Sequence, residues 1–494
     1  MSVIEAAFHD PLAHHLHLSP FKLFHFPPII GKEERVLGEV YTSNAFLEEH
    51  DLFQRRSPVP LDDTNCKREK VVAAIMFSSD GTHLTNFGMA KAWPIYLMLG
   101  NLSKYLQSPP NTGVMHHLAY IPLLPDSFQD VASKVHDKWK TQQKAITTHC
   151  RRELMNAVWE FLLDDDFIHA YKYGMVIKCT DGIEHHVYPR LFTYSADYPE
   201  KLIYDLAHSI TITGARVEEL LKDISAVPTL NTFFKRLSTK DKPFNPAKML
   251  VVDLLHEFEL GVWQTVFKHL IRLLYAESPH GELVAELDSQ FVLLLPQFAN
   301  NASEMKKMAA RDFEDLLQCS IPAFEDLLPE PHNKRLMKLL YRTAEWHALA
   351  KAWMHTESSP DLLEALTVKF GKLVREFRDL TCSVYKTVEL PRETTAPMHR
   401  AQASQSGPTN PAVPTSNANN PSMSTPVPQP NPSAAAKKSC AVDSSHRTKT
   451  LNLQLYKLHA MGDYVSCIRM FGTTDSYSTQ LGELAHCLIK TLYG

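Results

Sequence analysis

Residues 71–77, VVAAIMF, form a continuous apolar run rich in β-branched side chains, and Ser78, Ser79, Asp80 and Gly81 close it with turn chemistry. The run reads as a buried strand ending at Asp80. Four more short apolar runs follow, at 93–99 (WPIYLML), 118–124 (LAYIPLL), 175–179 and 187–196 (VYPRLFTYSA). Together the five predict one mixed sheet. Between 127 and 173 the pattern turns helical, with Leu154, Val158, Phe161 and Leu162 spaced by three and four.

Outward from that sheet, residues 247–385 read as mostly helical, and Ser359-Pro360 is a fair helix start. Nine prolines between Pro397 and Pro432 sit among Ser, Thr, Asn, Gln and Ala, with no aromatic residue from 394 to 450. Such a composition cannot bury enough apolar surface to offset its ordering entropy, so a disordered Pro/Ser-rich linker is expected. The block 451–494 regains aromatics and aliphatics but is too short for a secure core, and is expected to dock back onto the body. The opening, 1–62, carries His9, His14, His15, His17 and His25 at irregular spacing and reads as a loosely ordered, partly irregular leader.

The chain has 494 residues, 44% apolar and 21% charged, with a net charge of -4, as an ordinary globular protein of two or three domains would. No overall basic field advertises nucleic acid. The eight cysteines are scattered without a Cys-x-x-Cys, and no secretory leader is evident, which predicts an intracellular, reduced protein. No apolar stretch approaches the roughly 20 residues a membrane span needs. With 17 glycines and no P-loop, GxGxxG or GxSxG element, Rossmann, kinase and serine-hydrolase folds are not expected.

A carboxylate directly after a buried strand is held by rigid backbone, which suits a metal ligand. Asp80 fits, and so does Asp197, which follows the strand at 187–196 and precedes Tyr198-Pro199. If the two strands are neighbours, the pair could share a divalent cation; each could equally cap a turn. Adjacent histidines His116-His117 and His185-His186 diverge on a strand, so neither pair is expected to share a metal. Lys306, Lys307 and Arg311 stand among Glu304, Asp312, Glu314 and Asp315 and read as a solvated helix face, while Trp346 and His347 read as core.

The segments FSSDGTHLTNFGMAKAWPIYLMLGNLSKY (77–105), LAYIPLLPDS (118–127), YPRLFTYSADYPEK (188–201), VVDLLHEFELGVW (251–263), SEMKKMAARDFEDLLQCSIPAFEDLLPEPHN (303–333), WHALAK (346–351) and YKLHAMGDYVSCIRMFGTTDSYSTQLGELAH (456–486) resemble, in this order, the Plavaka-type transposases of basidiomycete fungi. These are relatives of the KDZ and En/Spm (CACTA) DNA transposases. The resemblance implies an α/β, RNase H-like catalytic core at 63–275, a large all-helical insertion at 276–393, the linker at 394–450 and a returning catalytic helix within 451–494. It implies a DDE set, with Asp80 as the first Asp, Asp197 as the second and Glu483 as the final Glu, and Glu345 as the reserve for that last place. Asp253 and His256 match a supporting Asp-x-x-His signature.

The implied cofactors are two Mg²⁺ or Mn²⁺ ions, the implied partner is DNA at transposon terminal repeats, with a homo-oligomer left open, and the implied compartment is the nucleus. In such a site one ion activates the attacking water or 3′-hydroxyl while the other stabilises the leaving oxygen. Glu483, His486 and Lys490 fall on one helix face, with Leu484, Leu488 and Leu492 on another, as a tail docking by an acidic face requires. Three departures stand out. A cysteine-bearing segment of the family is missing after Lys201, so zinc is not expected. The longer amino-terminal region of many relatives is missing too, and GELEHR-like endings become GELAHC. Two functions therefore stay open: metal-dependent DNA cleavage and strand transfer at transposon ends, or an inactive transposase-derived remnant that at most binds DNA or protein.

Overall fold

The computed structural model describes residues 1–28, 31–56, 66–84, 91–109, 112–125, 127–196, 231–239, 243–295, 301–305, 308–391, 393 and 447–493. Asp197, Lys306, Lys307 and nearly all of the 394–450 segment lie outside them.

The five expected runs form one mixed sheet: β1 (Lys70–Ser79), β2 (Pro94–Leu99), β3 (His116–Tyr120), β4 (Met175–Lys178) and β5 (Glu184–Ala196), in the order β3-β2-β1-β5-β4. Only β1 and β5 run parallel, in a register that ends with Ser79 opposite Ala196; the other pairs are antiparallel. The third strand starts and stops earlier than 118–124, because Pro122 and Pro125 cannot donate to a ladder.

Alternation along β1 divides the core. Val72, Ala74 and Met76 enter one apolar cluster, while Ala73, Ile75 and Phe77 enter another on the opposite face. In β5 a bulge at Phe192, between the partners of Ile75 and Met76, inverts the alternation. Tyr188 and Phe192 thus face the first cluster, and Tyr194 and Ala196 the second.

The second face is covered by helices α4 (Trp139–Leu162) and α5 (Asp165–Tyr173), chiefly through Trp159, whose ring lies 5.0 Å from Phe77 and 5.2 Å from Tyr194, while helix α3 (Phe128–Val135) lies outside this cluster and meets α4 through Phe128. Helix α1 (Ser2–His9) joins the cluster by burying Ile4, Ala7 and Phe8. The opening is therefore more ordered than its histidines suggest, because this apolar i, i+3, i+4 set needs a core to cover it.

The first face meets α2 (Asn44–Arg56), a π-helical segment at Leu254–Trp263 that continues into α6 (Gln264–Glu277), and helices α7 (Glu282–Leu294), α8 (Ala310–Phe324), α9 (His332–Ala350) and α10 (Ser359–Phe377). The tail docks here too: Tyr464, Ile468 and Phe471 of α11 (Tyr464–Phe471), Tyr477 and Leu481 all belong to this cluster. No helix among the described residues is long and apolar enough to cross a membrane.

Several histidines are buried without full hydrogen bonding, His269 and His355 among them. Neither ring nitrogen of His269, nor Nε2 of His355, has a partner among the described residues. Burial pushes both from 6.5 to about 4, aided by Arg272 beside His269 and Lys104 beside His355. Between those values the unfolded chain binds more protons, so stability falls as pH drops from 6.5 toward about 4 and levels below that. Each histidine contributes up to about 1.4 kcal/mol per pH unit. Urea unfolding across this range should show the loss, and His269→Leu should flatten it; an unchanged slope would refute the assignment.

Candidate metal centre

Asp80 follows Ser79 at the end of β1, half-buried, where two strands with parallel direction terminate together. Beside them, Tyr194 N–H donates to the Met249 carbonyl at 2.6 Å and Leu250 bridges Tyr194 in parallel. This pairing brings the segment 249–253 to the same end of the sheet. There Asp253 caps the π-helical segment: its carboxylate accepts from the His256 amide at 3.3 Å, and Glu257 accepts from the Asp253 amide at 3.1 Å.

Asp253 is fully buried. Its Oδ2 also accepts from His256 Nδ1 (2.6 Å) and Thr479 Oγ1 (2.6 Å), and its Oδ1 from the Thr479 amide (3.2 Å) and Ser478 Oγ (3.5 Å). Thr479 opens the last helix, α12 (Thr479–Tyr493), so this anion sits at a helix amino terminus, where the peptide dipoles favour it. A carboxylate can only accept, so Nδ1 of His256 carries the proton and Nε2 is left to act as a ligand.

One turn into α12, Gly482 lets the helix press against β1; a Cβ there would lie 2.8 Å from Ser78 Oγ. The contact brings Glu483 to Asp80. Ligand-capable atoms of Asp80, His256 and Glu483 all lie within 4.8 Å of one another. Burial raises the Glu483 carboxyl above its usual range, Asp80 and Asp253 push it the same way, and His256 and Lys490 oppose them. Among the described residues Glu483 forms no ion pair with Lys or Arg.

The docking face of α12 is Leu481, Ala485 and Ile489, the last two against Tyr96, with His486 also buried. Leu484 is 40% exposed and Lys490 is exposed, so the helix docks by this apolar row, with Glu483 half-buried at its margin. Glu345, the reserve, lies on α9 and pairs with Arg342, away from this group. Asp197 follows Ala196 in the chain and lies outside the described residues. Sequence reasoning overlooked Ser478 and Thr479, although adjacent hydroxyls before a helix are a capping signal.

A second gathering, Glu259, Glu314 and His347, lies deeper. Lys351 is already within it, 2.5 Å from Glu314 and 3.5 Å from Glu259, so its charge is matched internally. The histidines of one strand pair diverge: His185 faces Asp181 and Glu69, whereas His186 faces Cys66.

Residues 1–209 match the family model described as Plavaka transposase. The matched span includes Asp80 and Asp197 and stops before Asp253, His256 and Glu483. No curated protein matches the chain.

If Asp253 fastens α12, then Asp253→Ala strands several donors and should destabilise the protein by at least about 2 kcal/mol. Thr479→Ala should cost about 1 kcal/mol. In both variants amide hydrogen exchange in α12 should accelerate more than in α9. Unchanged α12 protection would rule out the clamp.

Proposed function

We propose that this chain is a Plavaka-type DDE transposase with an RNase H-like core, which cleaves DNA at transposon ends and transfers the strand with the help of divalent ions. Asp80, Asp197 and Glu483 are its carboxylates, and His256 is an added donor. The observation that carries the reading is the convergence of Asp80, His256 and Glu483 from three distant parts of the sequence onto one half-exposed end of the sheet. The parallel register ending at Ser79 and Ala196, just ahead of Asp80 and Asp197, also supports it.

The donor set fits a divalent cation: two carboxylates and an imidazole lie within reach of one ion, and the Glu483 carboxyl is raised by burial first and by Asp80 and Asp253 after it, an unfavourable setting for its charge that a cation relieves. When bound, the ions would lower the pKa of the attacking water or 3′-hydroxyl and stabilise the leaving oxygen. The chain's own part is positional. The β1 backbone fixes Asp80, the Gly482 contact sets the height of Glu483, and Asp253 holds the imidazole in the tautomer that presents Nε2. Substrate at chromosomal transposon ends makes the nucleus its place of action.

A mixed oxygen and imidazole set suits Mn²⁺ better than Mg²⁺. Calorimetric titration of the whole chain should therefore show tighter Mn²⁺ than Mg²⁺ binding. Asp80→Asn and Glu483→Gln should each weaken Mn²⁺ by at least about tenfold, with an unchanged thermal midpoint, as expected when a ligand to the ion is lost. A wild-type chain that binds neither ion would instead be the inactive remnant.

A further inference from the structure

The first half of α4 combines an unusual charge density with exposure. From Lys138 to Arg152 there are five Lys or Arg and no Asp or Glu, in a chain whose net charge is -4. Lys140, Lys144 and Arg151 stand at i, i+4 and i+11, within about 40° of one another around the helix and over roughly 16 Å of its length. All three are exposed, as is Lys138 just before the helix. None of them forms an ion pair among the described residues. Arg152, beside the stripe, is partly buried, and its pKa is lowered by desolvation alone, with no carboxylate to offset it.

The stripe is held on a rigid support. In the second half of the same helix Met155, Asn156 and Trp159 are buried; Thr232 Oγ1 donates to the Asn156 carbonyl at 3.1 Å, and Lys235 pairs with Glu160 at 2.7 Å. The first half has one anchor, Trp139, whose ring lies 6.1 Å from Phe128 of α3. A regular helix fixed at one end and carrying unpaired cations along one face presents an ordered row of positive charge.

We propose that the Lys140–Lys144–Arg151 face of α4 is a binding surface for the phosphate backbone of duplex DNA. Charge complementarity commits it to that occupant: a duplex carries one negative charge per about 1.7 Å of axis, so a row about 16 Å long meets several phosphates. Lacking contacts to base edges, such a row positions DNA without reading its sequence. The inference rests on the DNA substrate proposed above and adds where the body of the chain grips it.

The test compares the full-length wild type with two triple variants, Lys140→Gln/Lys144→Gln/Arg151→Gln and a control, Lys369→Gln/Lys372→Gln/Arg375→Gln, which removes the same charge from exposed positions on α10. Binding of a fluorescent duplex of about 30 base pairs is followed by anisotropy across a salt series. The α4 variant should bind about tenfold or more weakly near 0.1 M salt, with a salt slope shallower by about 2 to 3, while keeping its helix content; the control should stay within about twofold. Equal losses in both variants, or none in the α4 variant, would overturn the assignment while leaving the DNA reading intact. A wild type that binds no duplex would overturn both.

Discussion

A buried carboxylate sets the terms for this fold. Removing an ion such as Asp253 from water costs several kcal/mol unless donors surround it. Two of its donors, the amide and Nδ1 of His256, are local; the others, from Ser478 and Thr479, arrive from the far end of the chain. The π-helical segment is thus satisfied only when the tail has returned. The tail in turn has too few residues for a core of its own and buries Tyr464, Ile468, Phe471 and Tyr477 against the body. Each side supplies what the other lacks, so α12 belongs to the central architecture although it comes last in sequence.

The sheet turns that dependence into a site. Both faces of β1 are buried, which fixes its register and allows little freedom to the residue that follows it. Because β5 and the bridge at Leu250 run parallel to β1, three chain segments end on one side of the sheet. The bulge at Phe192 turns Tyr194 toward Trp159, where its hydroxyl meets Ser79 Oγ at 2.8 Å, and turns Ser195 toward the Tyr477 carbonyl of the tail. One extra residue therefore serves both layers at once.

Much of this was legible because burial leaves a coarse mark. VVAAIMF reads as a strand since both of its faces must be apolar, and Asp80 follows from the turn residues after it. Glu483 was legible only with the family resemblance, as a lone glutamate on an amphipathic helix has no local signature. The bulge was hidden because every residue around Phe192 suits a strand, and its effect is only to invert facing. The Asp253 clamp was half visible: Asp-x-x-His marks one side, but the pairing with Ser478 and Thr479 is nonlocal and depends on how the tail returns. The order at the amino terminus was obscured by histidines that drew attention from Ile4, Ala7 and Phe8.

The same π-helical segment carries His256 and, three residues later, Glu259, and each helps to gather acidic side chains. Around Glu259 the chain resolves the repulsion itself: Lys351 lies between Glu259 and Glu314, and His347 Nε2 donates to the Glu259 carboxylate at 3.0 Å in a buried setting. Around His256, Lys457 Nζ donates to the His256 carbonyl at 2.8 Å. Burial dominates the balance on Glu483; His256 opposes it most, and Lys490 ranks below Asp80 and Asp253. A fold able to quench one acidic cluster internally leaves the other half-exposed, at a rigid strand end, with its imidazole oriented by a buried carboxylate. That contrast in exposure, more than the mere presence of acids, separates the proposed metal centre from a structural ion network.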